Sequence, residues 1–323
     1  GMTCIDETLA RLREIPQLTV SERTPLSQYT RFGIGGPADV YVETSDESAF
    51  IAGLSLVRES DLKYVVIGGG TNLIVSDHGF RGIVLRYTAS RISANGHSVS
   101  VDAGAALQDL VDFTIDAGLQ GLETMTGIPG SVGAAIYGNA GAYGHSISEC
   151  VDCVRFVDGE GVRSFQCDEC CFEYRESIFK RRKEWVILSA DLRLSLADPA
   201  KLRETADGIL RMRNQKYPPT MKCAGSIFKN LLLADLPPEL AAQIPARVIR
   251  EGKVPSAYFL EAAGAKGMKN GDIQVADYHA NLIYNSGQGT AAQLREIITE
   301  LKKRVHERFG LQLEEEVQYV GFD

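Results

Sequence analysis

The chain has 323 residues, 44% of them hydrophobic and 24% charged, the balance of a folded globular protein and not of a disordered one. Its formal net charge of −8, from 34 basic and 42 acidic side chains, argues against nucleic-acid binding by bulk electrostatics and leaves room for a local cationic cluster on a small anion. No run approaches about 18 consecutive apolar residues and no basic-then-apolar leader is present, so a cytoplasmic protein without membrane insertion is expected. Glycine is the unusual count: 32, about one residue in ten, against about 7% in ordinary usage.

In chain order, residues 5–15 predict a helix with Ile5, Leu9 and Leu12 on one face, stopped by Pro16. Residues 38–43 predict a strand. Residues 46–59 predict a helix behind Ser45 that buries Phe50, Leu54 and Val57. A short apolar strand at 64–67 runs into Gly68-Gly69-Gly70, strands follow at 82–86 and 97–102, and a helix at about 105–117 ends on Gly118. Alternation at 149–157 and 161–166 predicts a hairpin turning at Asp158-Gly159, with a further strand starting near Trp185. A helix at 201–214 carries Arg211 and Arg213 toward Pro218-Pro219. Residues 231–256 form a Leu/Ala/Pro-rich connection of no clear pattern. The last helix is the best defined: Thr290 caps it, Gln293 completes a capping box, Leu294, Ile297, Ile298, Leu301, Val305 and Phe309 form its apolar stripe, and Gly310 ends it. Residues 311–321 alternate as a closing strand.

Seven cysteines and no leader predict reduced thiols. Cys150, Cys153, Cys167, Cys170 and Cys171 have the raw material of a zinc site, but strand and turn positions account for them more simply, and no metal is expected. None of the five histidines has metal-ligand spacing; His145 and His279 read as structural. Five stretches carry chemistry. Ile67-Gly68-Gly69-Gly70-Thr71-Asn72-Leu73 follows a strand, where bare backbone can approach a phosphate closely, although a tight structural turn fits equally. It is neither a dinucleotide fingerprint nor a P-loop. The run from Gly121 to Gly144 has too little bulk to fill a core unaided, and two separate glycine-rich segments favour one large ligand over close packing alone. Arg175, in Tyr174-Arg175-Glu176-Ser177, is either a surface ion-pair partner or an anion clamp. In Cys223 to Asn230, small residues flank Ser226; with Arg213, Lys216 and Lys222, Lys229 makes a cationic patch suited to an anionic substrate. In Glu314-Glu315-Glu316, strand alternation sends the middle carboxylate to the opposite face from its neighbours.

Taken together and in this order, Arg31 to Gly36, Gly68 to Asn72, Gly127 to Tyr143, Tyr174 to Ser177 and Gly225 to Asn230 resemble the UDP-N-acetylenolpyruvoylglucosamine reductases (MurB), over nearly the whole chain. The shorter type II subfamily fits, because no inserted tyrosine-bearing loop separates Arg175 from Arg213. The resemblance implies an α+β fold: an FAD-binding unit of the PCMH/vanillyl-alcohol-oxidase kind in two parts, 1–86 (with 311–323 returning near the flavin) and 87–210, and a third, substrate-binding domain at 211–310. It implies FAD held by Arg31, Gly35, Gly36, Ile67, Gly68, Gly69, Gly70, Thr71, Asn72, Leu73, Thr126, Gly127, Pro129, Gly130, Ser131, Gly133, Ala134, Asn139, Gly141, Ala142 and Tyr143.

The implied reaction is NADPH-driven reduction of a UDP-sugar enolpyruvyl ether by a monomer. Arg175 and Glu316 polarise the substrate, and Ser226 protonates the carbon next to the carboxylate. Tyr174, Arg213, Lys229 and Asn230 are the implied substrate contacts. Flavin supplies the redox chemistry in such a scheme and the protein supplies alignment and electrostatics. Three features depart from the family pattern: Glu315 and Leu231 stand where proline is usual, and 231–256 is longer than usual. A flavin-dependent alcohol or sugar oxidase of the same FAD fold is the competing reading.

Overall fold

The computed structural model describes residues 4–69 and 72–323. The chain forms two compact units. One gathers residues up to 24, 38–69 and 81–215; the other gathers 25–37, 70–80 and 216–323.

In the first unit a four-stranded sheet runs in the order Thr19–Pro25, Pro37–Thr44, Phe80–Tyr87, Tyr64–Ile67. Its last pair is parallel, with Tyr64 opposite Ile83. Helices Cys4–Arg13 and Glu47–Glu59 cover it, burying Leu9, Leu12, Phe50, Leu54 and Val57 against Val40, Val42, Ile83 and Leu85. The second helix starts one residue later than expected. Its cap is Asp46 and not Ser45, because the Asp46 carboxylate accepts from the Ala49 N–H at 2.9 Å and places negative charge at the helix start.

A five-stranded sheet of the same unit runs Val162–Gln166, Val151–Val157, Val186–Arg193, Ser98–Asp102, Ile92–Asn95, antiparallel throughout. The predicted hairpin turn is held by Asp158, whose carboxylate accepts from the Glu160 and Gly161 amides at 2.6 and 2.9 Å. Helices Leu107–Asp116 and Pro199–Lys216 send Leu107, Leu110, Val111, Ile115, Leu202 and Ala206 into this core, where Phe156, Phe179 and Trp185 pack on one another.

Burial pushes the Cys150 thiol up to about 11 and the Cys170 thiol up to about 12. Cys153 donates to Asp191 at 3.3 Å and is also pushed up, to about 11. Thiols held protonated are poor metal ligands and poor nucleophiles. Among the described residues no three His, Cys, Asp or Glu side chains form a metal-holding group.

In the second unit an antiparallel sheet runs Lys222–Ser226, Leu282–Asn285, Ile273–Val275, Lys269–Asn270. Helix Ala291–Phe309 lays Leu294, Ile297, Ile298, Leu301 and Val305 on its core. Thr290 and Gln293 form the expected capping box, and Gly310 ends the helix at φ +70. The connection at 231–256 is an out-and-back excursion: Leu231–Leu232 pairs with Lys253–Val254 at its base, and helix Pro238–Gln243 lies within it. The expected closing strand over 311–321 is broken. Phe228 pairs with Glu315, whereas Gln318–Val320 pairs in parallel with Leu73–Val75, so the ladder changes partner near Val317.

The two units divide the chain differently from the boundaries expected at 86 and 210. Segments 25–37 and 70–80 leave the first part because Phe32, Ile34 and Ile74 are buried in the second unit's core with Phe228, Phe259 and Leu313. The expected break at 86/87 instead separates the two sheets of the first unit. Among the described residues no helix is long and apolar enough to cross a membrane.

Candidate active site

Arg175 sits at φ +52, in the left-handed region that L side chains rarely adopt. Its guanidinium donates to two main-chain carbonyls of the small-residue run, Asn139 at 2.9 Å and Gly141 at 2.8 Å. Two further bonds tie the same loop to that run, and a third braces the run from its far side. Ser177 Oγ donates to the Tyr137 carbonyl at 2.7 Å, Asn139 Nδ2 donates to the Glu173 carbonyl at 2.8 Å, and Asn139 Oδ1 accepts from the Ser148 amide at 3.2 Å. The guanidinium also lies 5.0 Å from the Tyr174 ring centre. Gly141 and Ala142 pair with Ser146 and His145 around a two-residue turn, Tyr143-Gly144, with both φ values positive. An alanine Cβ at 141 would lie 2.1 Å from the His145 carbonyl oxygen, so close backbone approach demands glycine there.

The glycine run after the Tyr64–Ile67 strand fits a phosphate-bearing cofactor. Gly68 and Gly69 are exposed, and Cβ atoms on them would meet Ser131 Oγ at 3.2 Å and the Ser131 amide nitrogen at 3.4 Å. Backbone at 68–69 therefore faces backbone at 130–131 with only the small Ser131 hydroxyl beside them, the kind of surface a diphosphate needs. Near them in sequence, Thr126 is buried and its Oγ1 has no hydrogen-bond partner among the described residues, a polar atom left for something else to satisfy. Ser131 caps helix Val132–Tyr137 through the Ala134 amide, and Gly133 donates to the Ala103 carbonyl. Gly127 accommodates the Arg213 side chain, whose Cδ would be 3.0 Å from a Cβ at 127. Pro129 is exposed and Ile67 buried. Gly70 and Thr71 lie outside the described residues.

The remaining predicted cofactor residues, Arg31, Gly35, Gly36, Asn72 and Leu73, belong to the second unit. Gly35 and Gly36 have packing duties of their own. A Cβ at 35 would lie 2.9 Å from Val75 Cβ, and one at 36 would lie 2.3 Å from the Asp77 carbonyl oxygen. Leu73 is buried and Asn72 accepts from the Gln318 amide at 2.9 Å.

Ser226 stands at the end of the strand Lys222–Ser226, beyond a register shift: Cys223 faces Tyr284, yet Ser226 faces Leu282. Gly225 takes φ +72 in this bulge. Bulges re-aim side chains, and here the Ser226 hydroxyl meets the Tyr217 hydroxyl at 3.0 Å. The backbone just beyond is fixed by Asn281, 2% exposed, whose amide side chain bonds both the N–H and the carbonyl of Phe228 at 3.0 Å. Glu314 to Glu316 pair against this same stretch: Lys229 N donates to Glu314 O at 2.9 Å and Glu316 N donates to Ile227 O at 2.8 Å. That register brings the backbone of Glu316 beside the residue following Ser226. Glu315 is spoken for, since it pairs with Lys302 at 2.8 Å and accepts from the Tyr319 hydroxyl at 2.8 Å. Glu314 is exposed and pairs with Lys229 at 3.0 Å. Glu314 and Glu315 thus turn to different neighbours, as alternation expects, although the strand itself is not continuous.

The basic residues of the predicted cationic patch fall in both units. Arg213 belongs to the first unit and Lys216, Lys222 and Lys229 to the second. Lys229 faces Glu314, the Lys222 chain runs over Gly33, and Lys216 Nζ lies 5.2 Å from the Tyr217 ring centre. Asn230 Oδ1 accepts from the Ser256 amide at 3.2 Å, and the Ser256 hydroxyl donates to the Lys229 carbonyl. Sequence reasoning missed Tyr217, which carries no motif, and the clamp that Asn281 makes. Burial, with Lys216 and Lys266 adding to it, pushes the His279 imidazole down to about 4. Its Nε2 is buried without a hydrogen-bond partner among the described residues, and its ring lies 6.2 Å from that of Tyr217.

Residues 38–164 match the family model described as "FAD binding domain". With the bare-backbone cradle and the fixed Arg175, this defines a flavin-dependent oxidoreductase. Residues 217–320 match "UDP-N-acetylenolpyruvoylglucosamine reductase, C-terminal domain". A reductase of that name from Solibacter usitatus is 62% identical over 311 residues, covering 96% of this chain and 100% of the relative. One from Rubrobacter xylanophilus is 38% identical, covering 98% and 99%. The crystal structure of UDP-N-acetylenolpyruvylglucosamine reductase (MurB) from Thermus caldophilus is similar at a TM-score of 0.72 and 26% identity, covering 94% of this chain and 98% of that one. The chain belongs to the UDP-N-acetylenolpyruvoylglucosamine reductase family.

Proposed function

We infer that this chain reduces the enolpyruvyl ether of UDP-N-acetylglucosamine to UDP-N-acetylmuramate, a step of peptidoglycan precursor synthesis, with FAD as cofactor and NADPH as electron donor. FAD, when bound, supplies the hydride. Gly68, Gly69, Gly130 and Ser131 hold its diphosphate, with Thr126 and the run to Tyr143 contributing further contacts. Arg175 places its positive charge against the substrate carboxylate, lowering the cost of the negative charge that builds on the neighbouring carbon. The two carbonyls that grip the guanidinium spare it reorganisation during the reaction. Ser226 holds the proton that this carbon receives, and Glu316 polarises the same group. Tyr174, Arg213, Lys229 and Asn230 bind the nucleotide-sugar. The enzyme acts in the cytoplasm as a monomer, which sedimentation equilibrium of the FAD-loaded protein checks.

The observation carrying the assignment of Ser226 and Glu316 is the pairing of 314–316 against 227–229, which joins two residues about ninety positions apart in sequence. Rapid-mixing absorbance separates the half-reactions. Ser226→Ala is expected to leave NADPH-driven flavin bleaching intact and to slow reoxidation by the enolpyruvyl substrate by about 10²–10⁴-fold. Loss of the first half-reaction with the second spared would overturn the assignment.

A further inference from the structure

An aliphatic hydroxyl is a weak acid, so a serine that protonates carbon leaves an alkoxide behind it at high cost. A second donor within hydrogen-bond reach removes that cost. The Tyr217 hydroxyl is the side chain in that position, 3.0 Å from Ser226 Oγ. A phenol ionises near pKa 10, far more readily than an aliphatic alcohol. Lys216 Nζ lies 5.2 Å from the centre of the Tyr217 ring, so a cation is on hand to favour negative charge there. The Tyr217 ring packs against the buried cluster of Cys223, Ala276 and Leu282, and the residue is half-buried, within reach of water.

We propose that Tyr217 is the positioning residue and proton source behind Ser226. This rests on Ser226 being the substrate's proton donor. As the Ser226 O–H bond breaks and the new C–H bond forms at the substrate carbon, the Tyr217 O–H bond breaks and its proton passes to Ser226 Oγ. The negative charge ends on the phenolate, facing Lys216, and a proton from bulk water restores Tyr217. The His279 imidazole, its ring 6.2 Å from that of Tyr217, is held neutral by burial and supplies no acid to the chain.

The test uses the FAD-loaded enzyme with NADPH and the enolpyruvyl substrate in rapid mixing. Tyr217→Phe keeps the packed ring and removes the hydroxyl. Flavin reduction by NADPH is expected to be unchanged, the KM for the enolpyruvyl substrate nearly so, and substrate-driven reoxidation slowed by about 10²-fold. Adding Tyr217→Phe to Ser226→Ala is expected to cost nothing further. Fluorinated tyrosines at 217, whose phenols are more acidic, are expected to move the reoxidation rate with phenol acidity, which a merely structural hydroxyl does not do. A slow Ser226→Ala with a fast Tyr217→Phe overturns this proposal and leaves the role of Ser226 standing. Equal slowing of both half-reactions, or a rate indifferent to fluorination, also overturns it. A fast Ser226→Ala overturns the role of Ser226 itself.

Discussion

In the first unit the guanidinium of Arg175 is gripped by two main-chain carbonyls, whereas in the second unit the hydroxyl of Ser226 meets another side-chain hydroxyl, that of Tyr217. Main-chain acceptors cannot be mutated away one at a time. The position of Arg175 therefore depends on backbone shape: the left-handed conformations at Asn139, Tyr143 and Arg175 itself, and glycine at 141. Ser226 depends on partners that substitution can remove singly. One region holds a fixed charge through backbone geometry, and the other holds a hydroxyl through a side-chain contact.

Four substitutions or titrations press on that contrast, the largest effect first. Arg175→Ala is expected to lower substrate-driven flavin reoxidation by about 10²–10³-fold while NADPH-driven reduction is spared, read in rapid mixing. Equal loss in both halves would mean that Arg175 holds the glycine run for the cofactor. Asn281→Ala strips the Phe228 N–H and carbonyl of their buried partner, so about 3 kcal/mol of stability is expected to be lost in denaturant unfolding. Gly141→Ala forces the 145–146 backbone away and shifts one of the Arg175 acceptors; about 2 kcal/mol is expected to be lost, with the substrate half-reaction suffering more than the flavin half. The smallest effect is a pH dependence. His279 takes its proton near 6.5 when unfolded and near 4 when folded, so between these values the unfolded chain binds more protons and stability falls as pH falls. His279→Leu is expected to flatten that slope, measured by unfolding midpoints across the same range.

What was legible in the sequence was local. The last helix announced its cap, stripe and terminal glycine because all of these lie within a few turns of one another. The hairpin at 151–166 was legible for the same reason, through Asp158. The glycine excess pointed to stretches of close backbone approach, but it could not separate exposed positions, such as Gly69, from ones filled by the chain itself, such as Gly36. The grip on Arg175 was invisible because carbonyl acceptors carry no residue signature. The Ser226–Tyr217 bond was invisible because it depends on a bulge that sequence alternation does not announce. The division of the basic residues between units was hidden by the same limit: nearness along the chain did not decide which unit each one joined.

The second unit also sets a clock on the protein's birth. Its core takes Phe32, Ile34 and Ile74 from the early part of the chain, Val75 pairs with Val320, and Asp77 caps the helix that begins at Ala291 by accepting from its first two amides at 2.8 and 3.1 Å. Asp77 waits 214 residues for Ala291, and Val75 waits still longer for Val320, roughly 10 to 50 seconds at ordinary rates of synthesis. Through that interval the strand Leu73–Val75 lacks its parallel partner. The pairing of Leu73–Val75 and the cap that Asp77 provides are thus late events, made only as the last helix and strand are synthesised.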